Sequence, residues 1–292
     1  MKIQRIGILS IGEMGHACAR VFREHGARVV TVVNGRSDRT RALAKDAGVE
    51  IVEDMKTLLD SVDILLSLVT PSSARAVCRA VAEAMTGRRD APLFIDANPT
   101  SPVAAGEMAK VIATAGGRFV DGAVIGSAAL VGQSTTLYLS GPDADALREI
   151  EKYGLRVKIV GGKVGQASAL KIFYAGLNKG IAALLIEFLL GARRAGILDD
   201  VVELYNSGFR DLVKRADGTL ASMALHARRR SEEMVELGEA LRHWGMEPIM
   251  TDAVRELLSR VGALGLAPIE PAPGAYRALL ETLVDNGFLA RS

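Results

Sequence analysis

The chain has 292 residues, of which 49% are hydrophobic and 24% are charged, and its formal net charge is only +2. This length allows two domains with sizeable cores, and the near-neutral charge gives no indication of nucleic-acid binding. Cys18 and Cys78 lie in predicted amphipathic helices without metal-ligand spacing, so we expect free thiols and no metal site. No basic segment followed by an apolar core precedes the first predicted strand, and we expect a cytoplasmic protein.

The first predicted elements are a strand, a glycine-containing turn and a helix. Residues 3–9 form a short β-type run, SIGEMG follows at Ser10–Gly15, and apolar residues then recur with helical spacing. This order is the context that a dinucleotide-binding fingerprint requires, although Ser10 replaces the first glycine of the usual G-x-G-x-x-G. The helix N-terminus would offer amide groups to phosphates, and a purely structural turn is the alternative. The candidate cofactor residues here are Ile11, Gly12, Glu13, Met14 and Gly15.

The second predicted strand, residues 27–33, ends in Asn34-Gly35-Arg36-Ser37. NAD-binding folds place an acidic residue at about this distance from the glycines, where it binds the 2′-hydroxyl of the adenosine ribose. This sequence has no acid there, and an arginine beside a hydroxyl suits a 2′-phosphate instead. We therefore predict that NADP (NADPH) is the cofactor, with a solvated basic loop as the alternative. The candidate residues for this contact are Asn34, Arg36 and Ser37.

Strands and helices continue to alternate to about residue 162, which predicts an α/β domain with a doubly wound, mostly parallel sheet. Residues 62–69 form a predicted buried strand, and the strand at 92–95 is followed by DANPTSP at Asp96–Pro102. Ligands bind at the carboxyl edge of such sheets. Further candidate cofactor residues at this edge are Val69, Thr70, Pro71 and Asn98.

The stretch Gly165–Gly191 is apolar on nearly every side after its first turn. Such a helix is either buried or membrane-spanning, and its longest charge-free run, Gly180–Ile186, is far shorter than the ~20 residues that a bilayer requires. We therefore predict a long buried helix between two bodies of protein, and no membrane association. Lys171 lies near its N-terminal end, where desolvation and the helix dipole would lower the pKa of its ammonium group and suit it to proton exchange. A lysine that extends to solvent at a helix end is the alternative.

Four motifs occur in one order along the chain: SIGEMG, DANPTSP, FVDGAVIGSA at Phe119–Ala128 and GQASALK at Gly165–Lys171. Together they resemble the β-hydroxyacid dehydrogenase family, which includes 3-hydroxyisobutyrate and 6-phosphogluconate dehydrogenases. The resemblance implies a Rossmann domain joined by a long helix to an all-α domain, commonly in a homodimer. It also implies interconversion of a small 3-hydroxy acid and its carbonyl form with a nicotinamide cofactor, and it maps the family's catalytic lysine onto Lys171.

The substrate pocket departs from the family motifs at two places. Ile125 stands where the substrate loop carries a hydroxyl, and Ala175 stands where an asparagine follows the lysine. Asn178 lies seven residues after Lys171, two helical turns further on the same face, and is our candidate replacement. We therefore expect a rebuilt pocket for a small anionic or polar substrate. The candidate substrate-binding residues are Gly126, Ser127 and Asn178.

Helical patterns continue to the end of the chain. Ser231 is the predicted N-cap of a helix over Ser231–Trp244, and Thr251 is the predicted cap of the next helix. The run RRRSEEM at Arg228–Met234 resembles the short C-terminal domain of uncharacterised phosphogluconate-dehydrogenase-like proteins. We predict three parts: an NADP-binding Rossmann domain at 1–162, a long interdomain helix at 163–194, and an all-α substrate and dimerisation domain at 195–292.

The predicted function is that of an NADP-dependent oxidoreductase in which Lys171 shuttles a proton. Two alternatives stay open. The first is a non-catalytic NADP-binding redox sensor, which the substitutions Ile125 and Ala175 would favour. The second is an imine reductase of the same fold, although imine reductases usually lack the lysine.

Overall fold

The computed structural model describes residues 2–209, 212–270 and 272–288, without the side chains at 213–215 and 217. The chain divides by its contacts into two compact units, residues 1–171 and residues 172–292. The first unit is an α/β structure, and the secondary structure described for the second unit is entirely helical.

The first unit is built on one sheet. Its strands are β1 Arg5–Leu9, β2 Arg28–Val32, β3 Glu50–Val52, β4 Ile64–Ser67, β5 Leu93–Asp96, β6 Phe119–Ile125, β7 Thr136–Ser140 and β8 Arg156–Gly161. Their order in the sheet is β3-β2-β1-β4-β5-β6-β7-β8. Strands β1 to β6 run parallel, whereas β7 is antiparallel to β6 and parallel to β8.

The helices of this unit cover both faces of the sheet. They are α1 Glu13–Glu24, α2 Asp38–Asp46, α3 Met55–Ser61, α4 Pro71–Met85 and α5 Pro102–Thr114, with 3₁₀ segments at Ala128–Leu130 and Ala144–Tyr153. Successive side chains of β4 enter two separate apolar clusters: Ile64 and Leu66 pack in one, and Leu65 packs in the other. Because side chains alternate across a strand, the two clusters lie on opposite faces. The predicted doubly wound, mostly parallel sheet is confirmed.

The sheet also locates the place where a ligand can bind. Strand β1 pairs with β2 on one side and with β4 on the other, so the strand order reverses between β1 and β4. Open α/β sheets bind ligands outside the carboxyl ends of the strands at such a reversal. The loops that follow β1, β4 and β5 therefore surround the candidate site.

A helix of 29 residues, α6 Gln166–Arg194, runs across the boundary between the two units. In the described part of the chain it is the one helix whose length and hydropathy would allow it to cross a membrane, which is weak evidence because core helices also meet this test. Only 44% of its most apolar window is buried within the chain, so the predicted burial is met on one face, and cover for the other face by a second copy stays a prediction. Phe173, Leu177, Leu184 and Phe188 are between 40% and 67% exposed along that face.

The second unit contains the rest of α6 and a group of shorter helices. They are α7 Leu198–Gly208, α8 Leu212–Leu225, α9 Ala227–His243, α10 Ile249–Ala263 and α11 Ala275–Asp285. Two predicted helix starts are wrong. Helix α9 begins four residues before Ser231, because the arginines that precede it are good helix formers, and the Ser231 hydroxyl donates to the Arg228 carbonyl inside the helix. Helix α10 begins directly after Pro248, a residue suited to a helix start, so Thr251 lies within its first turn.

Helix α6 carries two lysines, and Lys179 is the one that is almost fully buried. Its ammonium nitrogen lies 2.8 Å from a carboxylate oxygen of Glu233, which also pairs with Arg229. Burial of a charge requires such a partner, and this pair accounts for Lys179 as a structural residue of the helical unit. Lys171 is half-buried and lies at the last position of the first unit.

Candidate functional site

The glycine turn between β1 and α1 has the geometry of a phosphate-binding loop. A Cβ atom at Gly15 would lie 2.2 Å from the Ser10 carbonyl oxygen, so only glycine allows the helix to approach the turn this closely. A Cβ atom at Gly12 would meet no protein atom within 4 Å. The backbone at Gly12 is thus open to a group from outside the chain.

The N-terminus of α1 is open to an anion. Gly12 is the N-cap, no side chain caps the helix, and the first intrahelical bond runs from the His16 amide to the Gly12 carbonyl at 2.8 Å. The amides of the three residues between them have no helical acceptor, and the helix dipole adds positive potential. Ile11 is buried beneath the turn, whereas Glu13 and Met14 belong to this first helical turn. The arrangement fits the pyrophosphate of a dinucleotide.

Ser10 has a φ of +73°, and among the residues that the structure describes no other non-glycine residue has a positive φ. It occupies the position where the fingerprint has its first glycine. An L-residue in this left-handed region is strained by roughly 1–2 kcal/mol, whereas glycine is not. Ser10 therefore keeps the backbone conformation of the fingerprint glycine, and the strain at this residue lowers the stability of the folded protein.

We expect Ser10→Gly to raise the free energy of unfolding by about 0.5–1 kcal/mol, because relief of strain exceeds the greater unfolded-state entropy of glycine. Urea unfolding of the purified variant measures this change. Ser10→Ala is the matched control, since it removes the hydroxyl but keeps the strained φ, and it should give no gain. A Ser10→Gly variant less stable than the wild type would contradict the prediction.

The loop after β2 contains the predicted 2′-phosphate contact. The Asn34 amide donates to the Glu53 carbonyl, and the Ser37 hydroxyl caps α2 by accepting from the Thr40 amide at 3.3 Å. The half-buried Arg36 guanidinium pairs with no carboxylate among the described residues. Of the three predicted residues, Arg36 is therefore the one with its charged group available to a ligand.

Asn98 joins the loops that follow β4 and β5. Its side-chain oxygen accepts from the Val69 amide at 2.6 Å, and its side-chain nitrogen donates to Ser67 Oγ at 3.0 Å and Asp96 Oδ1 at 2.5 Å. The residue is only 1% exposed. Its contacts thus hold the loop of Val69, Thr70 and Pro71 against the end of β5, and they use both ends of its amide within the protein.

Two buried carboxylates lie side by side on neighbouring strands. Asp96 of β5 is in register with Asp121 of β6, and both are no more than 1% exposed. Burial and, to a smaller extent, the neighbouring Asp121 charge raise the pKa of Asp96 to about 7, although hydrogen bonds from Asn98 oppose the rise. Burial also raises the pKa of Asp121, opposed by hydrogen bonds from Ser168.

Asp121 binds the start of α6. Its Oδ2 accepts the backbone amides of Gly165, Ala167 and Ser168, each at 3.0 Å. The same oxygen accepts from the Ser140 hydroxyl at 2.8 Å, and the other oxygen accepts from the Ser168 hydroxyl at 2.5 Å. Because Asp121 is paired with the last residue of β5, these bonds place the start of α6 beside the carboxyl edge of the sheet.

This contact was missed in the sequence, where Asp121 appeared only as part of a motif. Two signals pointed to it. The acid interrupts an otherwise uncharged strand, and a buried acid requires partners. Gly165, just before α6, has no side chain with which to cap the helix.

The predicted substrate residues lie in both units. In the first unit, Gly126 has a φ of +133°, and a Cβ atom there would lie 2.2 Å from Thr135 Oγ1. The Thr135 hydroxyl donates to the Ser127 carbonyl at 2.6 Å, which fixes the loop while the Ser127 side chain stays exposed. In the second unit, the Asn178 amide donates to the Tyr174 carbonyl at 3.0 Å, one turn back in α6.

The described residues contain no group of three or more His, Cys, Asp or Glu side chains that could hold a metal ion. Cys18 and Cys78 are free and buried. Burial raises the pKa of each thiol to about 12, so neither thiol supplies a thiolate nucleophile near neutral pH.

Comparison with known proteins identifies both parts of the chain. A family model described as the NAD binding domain of 6-phosphogluconate dehydrogenase matches residues 5–155, and one described as a domain of unknown function, DUF1932, matches residues 192–261. An uncharacterized 28.5 kDa protein of Methanothermus fervidus, from the 7S RNA 5′ region, is 31% identical over 261 residues. The match covers 88% of this chain and 98% of that protein.

Solved structures show the same fold. A conserved protein of unknown function, reported to be structurally similar to 3-hydroxyacid dehydrogenases, is 32% identical; the match covers 90% of this chain and 100% of that chain, with a TM-score of 0.73. The 3-hydroxyisobutyrate dehydrogenase of Mycobacterium tuberculosis, solved with L-serine, is 16% identical; the match covers 97% and 99% of the two chains, with a TM-score of 0.74.

An imine reductase of Myxococcus stipitatus, solved with NADP+, is a more distant match in fold. It is 17% identical, the match covers 94% of this chain and 99% of that chain, and the TM-score is 0.56. The nicotinamide-binding family model covers more than half of the chain, and the order of the motifs agrees with it. The protein therefore belongs to the β-hydroxyacid dehydrogenase family of nicotinamide-dependent oxidoreductases.

Proposed function

We propose that the protein is an NADP-dependent oxidoreductase that interconverts a small 3-hydroxy acid, or a related alcohol, and its carbonyl form, with Lys171 as the proton shuttle. The observation that carries the proposal is the placement of Lys171. It lies half-buried in the second turn of α6, a helix whose start is bonded to the carboxyl edge of the nucleotide-binding sheet. A proton-transfer group is required next to the reacting carbon in such a reaction.

Different residues of the chain bind the cofactor and transfer the proton. The open backbone at Gly12 and the uncapped N-terminus of α1 bind the pyrophosphate, and Arg36 binds the 2′-phosphate. When bound, the nicotinamide accepts or supplies a hydride. Lys171 Nζ accepts the hydroxyl proton as a neutral amine during oxidation, and it returns a proton as an ammonium group during reduction.

A screen of small 3-hydroxy acids, the corresponding carbonyl compounds and cyclic imines, followed by nicotinamide absorbance, tests the proposal. Turnover of a hydroxy acid or its carbonyl form supports it. Exclusive turnover of imines would make the protein an imine reductase, and tight NADPH binding without turnover of any compound would favour the redox sensor. Either result would overturn the proposed reaction.

We expect NADPH to bind at least tenfold more tightly than NADH, a difference of about 1.4 kcal/mol, because Arg36 can form a charge-assisted pair with the 2′-phosphate. Fluorescence titration of both cofactors measures the ratio. Arg36→Ala should abolish the preference, whereas Arg39→Ala, an exposed arginine nearby on α2, should retain it. Equal affinities in the wild type would exclude this specificity.

We also propose a homodimer that covers the exposed face of α6. Phe173, Leu177, Leu184 and Phe188 form an apolar stripe at helical spacing, and exposed stripes of this kind mark association surfaces. We expect an interface above ~2,000 Å² in total, which is the size of obligate interfaces.

Light scattering should therefore give the mass of two chains at micromolar concentration. Leu177→Glu, at the most exposed position of the stripe, should produce a monomer because an unpaired charge in the interface is unfavourable. Lys45→Glu on α2 is the control for a charge change elsewhere and should remain dimeric. A monomeric wild-type protein would count against the assembly.

A further inference from the structure

The start of α6 has an unusual cap. Where a side chain caps a helix start, the N-cap residue accepts the amide of the second or third helical residue with its own side chain. The residue in that position here is Gly165, which has no side chain, and the first helical bond runs from the Ala169 amide to its carbonyl. The second and third residues, Ala167 and Ser168, donate instead to Asp121, which lies more than 40 residues earlier in the chain.

The cap therefore joins a helix to a sheet. The sheet also fixes the Asp121 side chain. Ser140, the residue paired with Asp121 on the antiparallel strand β7, donates its hydroxyl to the Asp121 Oδ2 that accepts the helix amides. The Ala167 amide also lies 3.0 Å from Ser140 Oγ. With these groups buried, the hydrogen bonds are shielded from competing water, and the first turn of α6 has one defined position relative to β6 and β7.

Lys171 follows this anchored turn directly. It lies three residues after Ser168, so the two residues occupy neighbouring positions on one face of the helix, about 4.5 Å apart along its axis. The Ser168 hydroxyl donates to Asp121 at 2.5 Å, which fixes the rotation of that face as well as the helix start. A helix start that frays or rotates would move the lysine with it.

We propose that Asp121 is the positioning residue for Lys171: it replaces the missing N-cap of α6 and thereby sets the place of the proton-transfer group over the nucleotide-binding sheet. The inference rests on the proposed role of Lys171 in catalysis. It assigns no contact between Asp121 and substrate or cofactor. The role requires only that residue 121 accepts hydrogen bonds from the start of α6. In Asp121→Asn, the side-chain oxygen can still accept the three backbone amides. The new side-chain nitrogen would face the Ser168 hydroxyl, which can accept a hydrogen bond as well as donate one.

The test compares Asp121→Ala, which removes every bond that Asp121 makes to the start of α6, with Asp121→Asn and Ser168→Ala. With the most active compound of the hydroxy-acid and carbonyl panel, we expect Asp121→Ala to lower kcat by about 10–100-fold, because misplacement of a reacting group by about 1 Å has effects of this size. Ser168→Ala should lower kcat by a smaller factor, and Asp121→Asn should stay within about threefold of the wild type. The affinity for NADPH should be unchanged in all three variants.

Asp54→Ala is the matched control, because Asp54 caps another helix of the same unit, α3, by accepting the Thr57 amide at 2.8 Å. Its loss should lower thermal stability and leave kcat unchanged, so an effect on kcat at Asp121 is not a general effect of cap removal. A folded Asp121→Ala variant that binds NADPH and turns over at the wild-type rate overturns the proposal. Equal losses of kcat in Asp121→Asn and Asp121→Ala also overturn it.

Hydrogen exchange of the peptide that spans residues 165–171 gives a readout that needs no substrate. Asp121→Ala should speed exchange in this peptide, and Asp121→Asn should not. If Asp121→Ala fails to fold, Ser168→Ala takes its place in both measurements, and unchanged exchange together with unchanged kcat then overturns the proposal. If the wild type turns over no compound, the proposed function fails, while the exchange data still decide whether Asp121 anchors the helix that carries Lys171.

Discussion

Replacement of Lys171 by methionine is expected to lower kcat by roughly 10²–10⁴-fold, which is the usual contribution of a general acid–base group. Methionine keeps the length of the side chain and its apolar stem but cannot transfer a proton. Because the lysine is only half-buried, the substitution should have little effect on folding. NADPH affinity should also change little, since the groups proposed to bind its phosphates lie in the loops after β1 and β2.

The measurement is steady-state turnover of the compound found in the screen, with NADPH titration and thermal unfolding in parallel. Lys163→Met is the matched control, because Lys163 is an exposed lysine just before the same helix and should tolerate the change. Losses of kcat and kcat/KM by the same factor would indicate an interaction made only in the transition state. Normal turnover by Lys171→Met would make the lysine structural and would remove the main support for the proposed reaction.

Asp96→Asn is expected to raise the free energy of unfolding at pH 8 by on the order of 3–4 kcal/mol. The pKa of Asp96 is raised by burial to about 7 from its ordinary value of 3.8, and each unit corresponds to about 1.4 kcal/mol. Between about pH 4 and pH 7 the folded protein therefore holds a proton that the unfolded chain releases. The stability that depends on this proton is fully present below pH 4, and it is lost as the pH rises through 7.

Asparagine has nearly the same shape and carries no charge, so it removes this loss. Its side-chain oxygen can still accept from the Asn98 amide, and its nitrogen can donate to Thr100, whose hydroxyl lies 3.4 Å from Asp96. Chemical unfolding at pH 4 and pH 8 should give nearly equal stabilities at the lower pH and a clear gain for the variant at the higher pH. Asp145→Asn, at an exposed ion pair, is the control and should show no such difference. Parallel pH curves for Asp96→Asn and the wild type would show that the pKa of Asp96 is the same in the folded protein and in the unfolded chain, and would contradict the prediction.

The sequence alone determined the parts of this protein that depend on local pattern. Apolar runs between helical patterns predicted the alternating elements, and the glycines of SIGEMG predicted the turn between β1 and α1. These features follow from the backbone freedom of single residues and from periodicities of two and 3.6, which can be read within a short window. The order of the four motifs was sufficient to predict the family, because it depends only on position along the chain.

Tertiary structure decided the features that join distant segments. The Asp121 side chain caps a helix more than 40 residues away, and Asn98 holds the loop after a neighbouring strand; no local pattern encodes either partner. The same limit applies to α6, whose uniformly apolar sequence could not reveal which face this chain covers and which remains exposed. Burial and hydrogen bonding depend on what the fold brings next to a residue, whereas helix and strand formation depend mainly on its immediate neighbours. The apolar pattern of α6 could not show how deeply each of its lysines is buried: the fold places Lys179 in a buried ion pair and leaves Lys171 half-exposed beside the carboxyl edge of the sheet.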